Sequence, residues 1–262
     1  MKYCIIIPFV YLASCMNTSK EEVKPIYDET SLRAFVLSTP SINEARALDS
    51  LNSILVTASK DSLVFRKTVS FLTEPFSSPN SSYRNQRFYA KILEAEINSD
   101  WYIAQEKEIA KGKLILEQQN NIGRLANDFT YTTPAGEVKR MYAIKANFLL
   151  LYFNNPECEA CKEMKASLAQ SAIINQKLHS GELRVLSIYV DADKKSWRSH
   201  LGDYPKQWLQ GMGDSVTPYK KIYDLSAIPA MYLLDKDKKV LLKDYFTSQS
   251  IEQLVNKTNY GN

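Results

Sequence analysis

Cysteine and histidine are scarce in this chain: four of one and two of the other in 262 residues. That scarcity narrows the chemistry. A zinc site takes about four ligands. His179 and His200 stand far in sequence from the close pair Cys158 and Cys161, and no second cysteine pair exists to complete a set. A c-type haem attachment needs histidine directly after the second cysteine, where this chain has Lys162. No metal and no cofactor is expected. Long apolar runs are lacking too: the N-terminal one, residues 5–13, falls short of the roughly 20 residues needed to cross a bilayer. Nor is there a basic stripe. The 33 basic and 29 acidic residues leave a net charge of +4, with lysines scattered among glutamates, so no nucleic-acid partner is expected.

What is present begins with MKYCIIIPFVYLASC, in which Lys2 precedes a short apolar run and small residues precede Cys15. The order is that of a secretory signal. Leu12-Ala13-Ser14-Cys15 resembles the lipobox of bacterial lipoproteins, in which cleavage leaves the cysteine as the lipid-bearing first residue. The alternatives are an uncut signal or a buried N-terminal strand. The lipoprotein reading makes residues 1–14 a signal peptide, Cys15 the site of lipidation and residues 15–30 a polar tether. The chain is then exported and lipid-anchored to the bacterial cell envelope membrane, facing the periplasm, without spanning it. Cys4 leaves with the signal and Cys15 carries lipid. Only Cys158 and Cys161 remain as thiols, in a more oxidising compartment.

Beyond the tether the texture divides in two. Residues 31–121 have helical periodicity. Ile42, Ala45, Leu48, Leu51, Ile54 and Leu55 recur at three- and four-residue spacing behind a possible cap at Ser41, and residues 62–72 repeat the pattern. Residues 74–83, rich in proline and serine, read as a loop, and two further helices follow. The expectation is an all-α unit of about four helices with neither histidine nor cysteine. Phe88, Tyr89, Trp101 and Tyr102 are better read as core than as a ligand cage. Residues 122–262 alternate instead. ANFLLLYFNN and LRVLSIYVDAD are apolar runs of strand length, as in strands buried on both faces. Around them lie a helix over 161–178, a short helix over 218–225, strands at AIPAMYLLD and VLLKDY, and a closing helix. The order β-α-β-α-β-β-α predicts an α/β unit with a mixed sheet flanked by helices.

Cys158 and Cys161 fall where FLLLYF ends and the next helix begins. A helix N-terminus presents free N–H groups and partial positive charge, which favour a thiolate. Spacing of i, i+3 on a first turn brings both sulfurs to one side. The first faces solvent and can attack; the second lies behind it and can resolve a mixed disulfide. A structural staple would close a loop so small that it constrains the unfolded chain little. Coincidental buried thiols are the remaining alternative.

Strand, C-x-x-C, helix, strand and a further strand preceded by Ile-Pro resemble the thioredoxin fold. DFTYTTPAGEV and AIPAMYLLDKDKKVLL are most similar to the TlpA/ResA-like membrane-anchored thiol-disulfide oxidoreductases, over residues 123–262. The helical half resembles the N-terminal extension of some exported lipoprotein members. The resemblance implies that Cys158 is the attacking thiol and Cys161 the resolving thiol. It also implies that Pro229, after Ile228, is a cis-proline that receives the substrate backbone; outside the resemblance Pro229 reads as an ordinary strand-start proline. The chain departs from the family in having Glu157 in place of an aromatic residue, Glu159-Ala160 between the cysteines, and no acid within FLLLYF. Carboxylates on both sides of Cys158 oppose negative charge there, while Lys162 and Lys165 offset them. This favours a reductase or isomerase over a strong oxidant. The implied partners are protein disulfides and a protein that recharges the dithiol. A redox-inactive accessory lipoprotein that only docks a partner remains the alternative. Trp197 and Trp208 stand in an irregular segment that could line the site, although core packing explains them more simply.

Overall fold

The computed structural model describes residues 27–78, 81–213, 221–244 and 246–257. The signal, Cys15 and most of the tether therefore lie outside the described residues. Among the described residues no helix is long and apolar enough to cross a membrane.

Five α-helices come first: α1 (Glu29–Ser38), α2 (Glu44–Ala58), α3 (Ser62–Ser77), α4 (Gln86–Asn98) and α5 (Ala104–Glu117). The sequence predicts about four of them, and α1 is the additional one. That helix is short, but Asp28 caps it and Leu32, Phe35 and Val36 bury one face. The cap of α2 is Asn43, whose side chain accepts from the N–H groups of Ala45 and Arg46. Ser41 instead closes a 3-10 turn, Thr39–Ser41, with Pro40 near its start. The loop read at residues 74–83 begins later, because α3 runs through Pro75 to Ser77. A proline in the last turn forfeits one backbone hydrogen bond. The next residue, Phe76, is fully buried and packs edge-on against Phe88 at 5.0 Å and Phe35 at 6.1 Å, so tertiary packing holds the turn.

The rest is a seven-stranded mixed sheet in the order β2-β1-β5-β4-β3-β6-β7. Its strands are β1 (Thr130–Thr132), β2 (Val138–Arg140), β3 (Phe148–Asn154), β4 (Leu183–Tyr189), β5 (Leu209–Gly213), β6 (Ala230–Asp235) and β7 (Val240–Asp244). Strands β3, β4 and β5 run parallel, β6 returns antiparallel beside β3, and β7 pairs antiparallel with β6 at the edge. Every residue of the central strand β3 is buried. Because side chains alternate across a strand, Leu149, Leu151 and Phe153 enter one core, and Phe148, Leu150 and Tyr152 enter another. The second core lies beneath α6 (Glu159–Gln170), α7 (Ala172–Ser180) and α9 (Ser248–Lys257), which supply Met164, Leu168, Ile174, Leu178, Ile251 and Val255.

Three local expectations change. The single helix read over 161–178 is two, broken at Ser171, whose extended backbone and side chain cap α7. The irregular segment after β4 holds a short helix, α8 (Lys194–Ser199), and the strand β5. LQGMG is a poor strand signal because glycine weakens strands, but Gly211 is required: a Cβ there would lie 2.4 Å from the Tyr131 ring. Of the short helix read at 218–225, residues 218–220 lie outside the described residues, and 221–225 form no α-helix. Tyr223 and Asp224 anchor that segment instead. Tyr223 is fully buried and donates to the Asn127 carbonyl at 2.5 Å, and Asp224 pairs with Arg84.

Candidate active site

Strand β3 delivers the chain to Asn155, where a tight turn sets the next three residues. The Asn155 side chain accepts from the Glu157 N–H at 2.7 Å, and its carbonyl accepts from the Cys158 N–H at 3.1 Å. Cys158 thereby becomes the N-cap of α6, and its Sγ accepts from the Cys161 N–H at 3.3 Å. The sulfur thus sits at the positive end of a helix with a backbone donor aimed at it. Cys161, one turn along, donates its thiol to Cys158 Sγ at 2.7 Å. Both cysteines are free thiols, Cys158 half-buried and Cys161 buried.

The opposite wall comes from the segment before β6. Cys158 Sγ donates to the Ile228 carbonyl at 3.7 Å, and the Ile228–Pro229 peptide bond is cis. Residues 158, 161, 228 and 229, separated by up to 71 positions, thus meet at one place. Glu157 and Glu159 are exposed, and Glu159 is met by Lys162 at 3.1 Å, so water and a lysine screen the carboxylates that flank the cysteine.

Beneath the dithiol lies a polar network that sequence reasoning missed. Tyr152 donates to the Cys161 carbonyl at 2.5 Å. Asn154, only 1% exposed, donates to Ser187 Oγ at 2.8 Å and to the Tyr152 carbonyl at 2.9 Å. Its own oxygen accepts from the Tyr204 hydroxyl at 2.6 Å. The available signal was Asn154 itself, a polar residue at the end of an otherwise apolar strand. A buried polar side chain needs partners. Burial pushes the Cys161 thiol up to about 12, and its hydrogen bond to Cys158 acts in the same direction. Burial likewise raises Tyr152 and Tyr204, so all three groups hold their protons at neutral pH. The supporting layer is therefore neutral and built of tyrosine and asparagine. Lys165 lies over the Tyr204 ring at 4.6 Å.

Trp197 and Trp208 are core residues. Trp208 packs edge-on against Tyr152 at 5.8 Å, and Trp197 joins Tyr189 and Met212 in a small cluster. Among the described residues no group of three histidine, cysteine or acidic side chains is placed to hold a metal ion.

A family profile described as thioredoxin-like matches residues 147–240, which include both cysteines and Pro229. A thioredoxin-like protein from Bacteroides caccae shares 37% identity with this chain. The match covers 87% of this chain and 84% of the other, with a TM-score of 0.79, so it takes in both the helical unit and the sheet. The C-terminal domain of an uncharacterized protein from Bacteroides fragilis shares 43% identity, covering 52% of this chain and 98% of its own, with a TM-score of 0.50. Among curated proteins nothing matches.

Proposed function

Because the chain belongs to the family of thioredoxin-like proteins, we propose that it is a thiol-disulfide oxidoreductase that reduces or isomerises disulfides in proteins of the cell envelope. The observation that carries this reading is the paired sulfur geometry. A half-buried Cys158 caps a helix 2.7 Å from the buried Cys161, and it faces the carbonyl that precedes a cis-proline.

The chemistry follows from the placement of the two thiols. Cys158, as thiolate, attacks one sulfur of a substrate disulfide. A Cys158–substrate bond forms, the substrate S–S bond breaks, and the second substrate sulfur leaves as a thiolate that takes up a proton. Cys161 then gives up its proton and attacks Cys158 Sγ. The Cys158–Cys161 disulfide forms, the mixed disulfide breaks, and the other substrate sulfur leaves and is protonated. Two electrons and two protons pass from the dithiol to the substrate. A partner protein restores the dithiol by the same exchange in reverse. In isomerisation the mixed disulfide is instead attacked by another substrate thiol, and Cys158 is released unchanged.

Cys161 is the thiol placed to resolve the mixed disulfide, 2.7 Å from Cys158 Sγ, so removing it should strand that intermediate. Cys161→Ser, expressed in its native envelope, is expected to accumulate adducts visible on non-reducing gels and dispersed by reductant. If Cys161→Ser forms no adducts beyond those of the Cys158→Ser, Cys161→Ser double variant, the reading fails.

Export and lipid anchoring belong to the same proposal, and they are supported by Leu12-Ala13-Ser14-Cys15 behind a short apolar run. Cells fed a labelled fatty acid should incorporate label into the parent and not into Cys15→Ser. Equal labelling would remove the anchor from the proposal.

A further inference from the structure

The helical unit contains neither of the reactive cysteines, yet one of its clefts is lined in part by the residue that precedes Ile228. Between α3, α4 and α5 on one side and residues 224–227 on the other is a cleft of about 410 Å³. That is within the roughly 300–1,000 Å³ of ligand sites, which favour the boundary between structural units. Thr73, Ser77, Lys113 and Glu117 line it from the helices, and Ser226 and Ala227 from the segment that runs into Ile228 and Pro229. Ala227 is bonded to Ile228, whose carbonyl lies 3.7 Å from Cys158 Sγ. The cleft therefore ends one residue from the wall that faces the attacking sulfur. Three further clefts of the helical unit are lined by residues of that unit alone.

Two features mark this cleft as a built site. Its charged wall is fixed before anything binds, because buried Arg84 holds Glu117 at 3.3 Å and Asp224 at 3.6 Å, one residue from each side of the cleft. The Glu117 side chain is only 4% exposed, and its Oε2 has no hydrogen-bond partner among the described residues. A buried polar atom without a partner is costly, and this one belongs to a residue of the cleft wall. The remaining lining suits an extended polypeptide. Hydroxyls of Thr73, Ser77 and Ser226 can donate to main-chain carbonyls or accept from main-chain N–H groups, and exposed Lys113 stands at the rim.

We propose that this cleft seats the stretch of polypeptide next to the disulfide being reduced, so that the helical unit grips the substrate chain while Cys158 engages its sulfur. The proposal rests on the thiol-disulfide reading and adds to it the place on this chain where the substrate polypeptide is held. A small disulfide with no chain attached reaches Cys158 without using the cleft.

The test compares insulin, whose disulfides sit in polypeptide, with hydroxyethyl disulfide, which has no chain. The parent, Thr73→Trp and Lys113→Trp are measured with both substrates. The first variant fills the cleft; the second crowds its rim from an exposed helix position that folding tolerates. The ratio of kcat/KM for insulin to that for hydroxyethyl disulfide should fall about tenfold in at least one variant. If both variants keep the parent's ratio to within about twofold, the cleft is not the docking site, whatever happens to the absolute rates. A parent inert towards both substrates overturns the oxidoreductase reading and this inference with it.

Discussion

Replacing Cys158 with serine should lower the rate of disulfide reduction by about a thousandfold or more, because the step that begins the cycle loses its nucleophile. The expectation is specific to Cys158, because the two cysteines are not equivalent. Cys158 is half-buried, receives a backbone N–H from the first turn of α6, and lies opposite the Ile228 carbonyl. Cys161 is 2% exposed and holds its proton up to about 12. A substrate sulfur arriving from solvent meets Cys158 first. Serine is nearly isosteric and preserves the cap, since its oxygen can accept the same N–H. The folded state should therefore be kept while the chemistry is lost. Circular dichroism and the melting temperature check the first point, and turnover of hydroxyethyl disulfide checks the second. A Cys158→Ser protein that is folded and within about tenfold of the parent rate would mean that the dithiol is not the working centre.

The dithiol was legible because everything that defines it is local: a buried strand, a turn, two cysteines spaced to share one helix face. The cis-proline was reached only through the family resemblance, since nothing in residues 226–230 alone distinguishes a cis from a trans bond. The seven-stranded sheet was partly hidden for a physical reason. Strand β5 carries Gly211 to clear the Tyr131 ring, and the residue type that makes the packing possible also erases the strand pattern. The network under the sulfurs was hidden differently. Asn154, Ser187 and Tyr204 are separated by 33 and 50 positions and become one hydrogen-bonded unit only when β3 and β4 pair and the segment after α8 packs beside them. Periodicity reports which face of an element is buried, not which polar groups from different elements will meet. The helical unit shows the same limit. Four of its five helices follow from spacing, whereas its connection to the sheet depends on charges scattered over 160 positions.

That connection should be the most sensitive point for stability: Arg84→Met is expected to cost about 3–5 kcal/mol at pH 8, because it leaves buried carboxylates without their counter-charge. Arg84 is 10% exposed and faces Asp244 at 3.1 Å, Glu117 at 3.3 Å and Asp224 at 3.6 Å; it also donates to the Ser77 carbonyl. Lys243 stands in the same cluster, donating to the carbonyls of Glu117 at 3.0 Å and Gln119 at 2.9 Å. Two cations thus face three carboxylates, and the substitution leaves one cation facing three. Burial already raises Glu117 above the ordinary carboxylate range and lowers Lys243. Losing the guanidinium can only push Glu117 further up. A carboxyl whose folded pKa exceeds its unfolded value binds protons more tightly in the native state, so its contribution is present at low pH and is lost as pH rises. The deficit of Arg84→Met should therefore be smaller at pH 5 than at pH 8. Methionine retains much of the volume, so the effect reads charge more than cavity. Denaturant unfolding of parent and variant at the two pH values measures it. A deficit below about 1 kcal/mol at pH 8, or one that grows on acidification, would show that the cluster does not hold the units together as its geometry implies. Asp224 lies four residues before Ile228, so the same substitution also frees the segment that faces Cys158. A loss of stability accompanied by slower turnover in the fraction that remains folded would tie the helical unit's role to the placement of that wall.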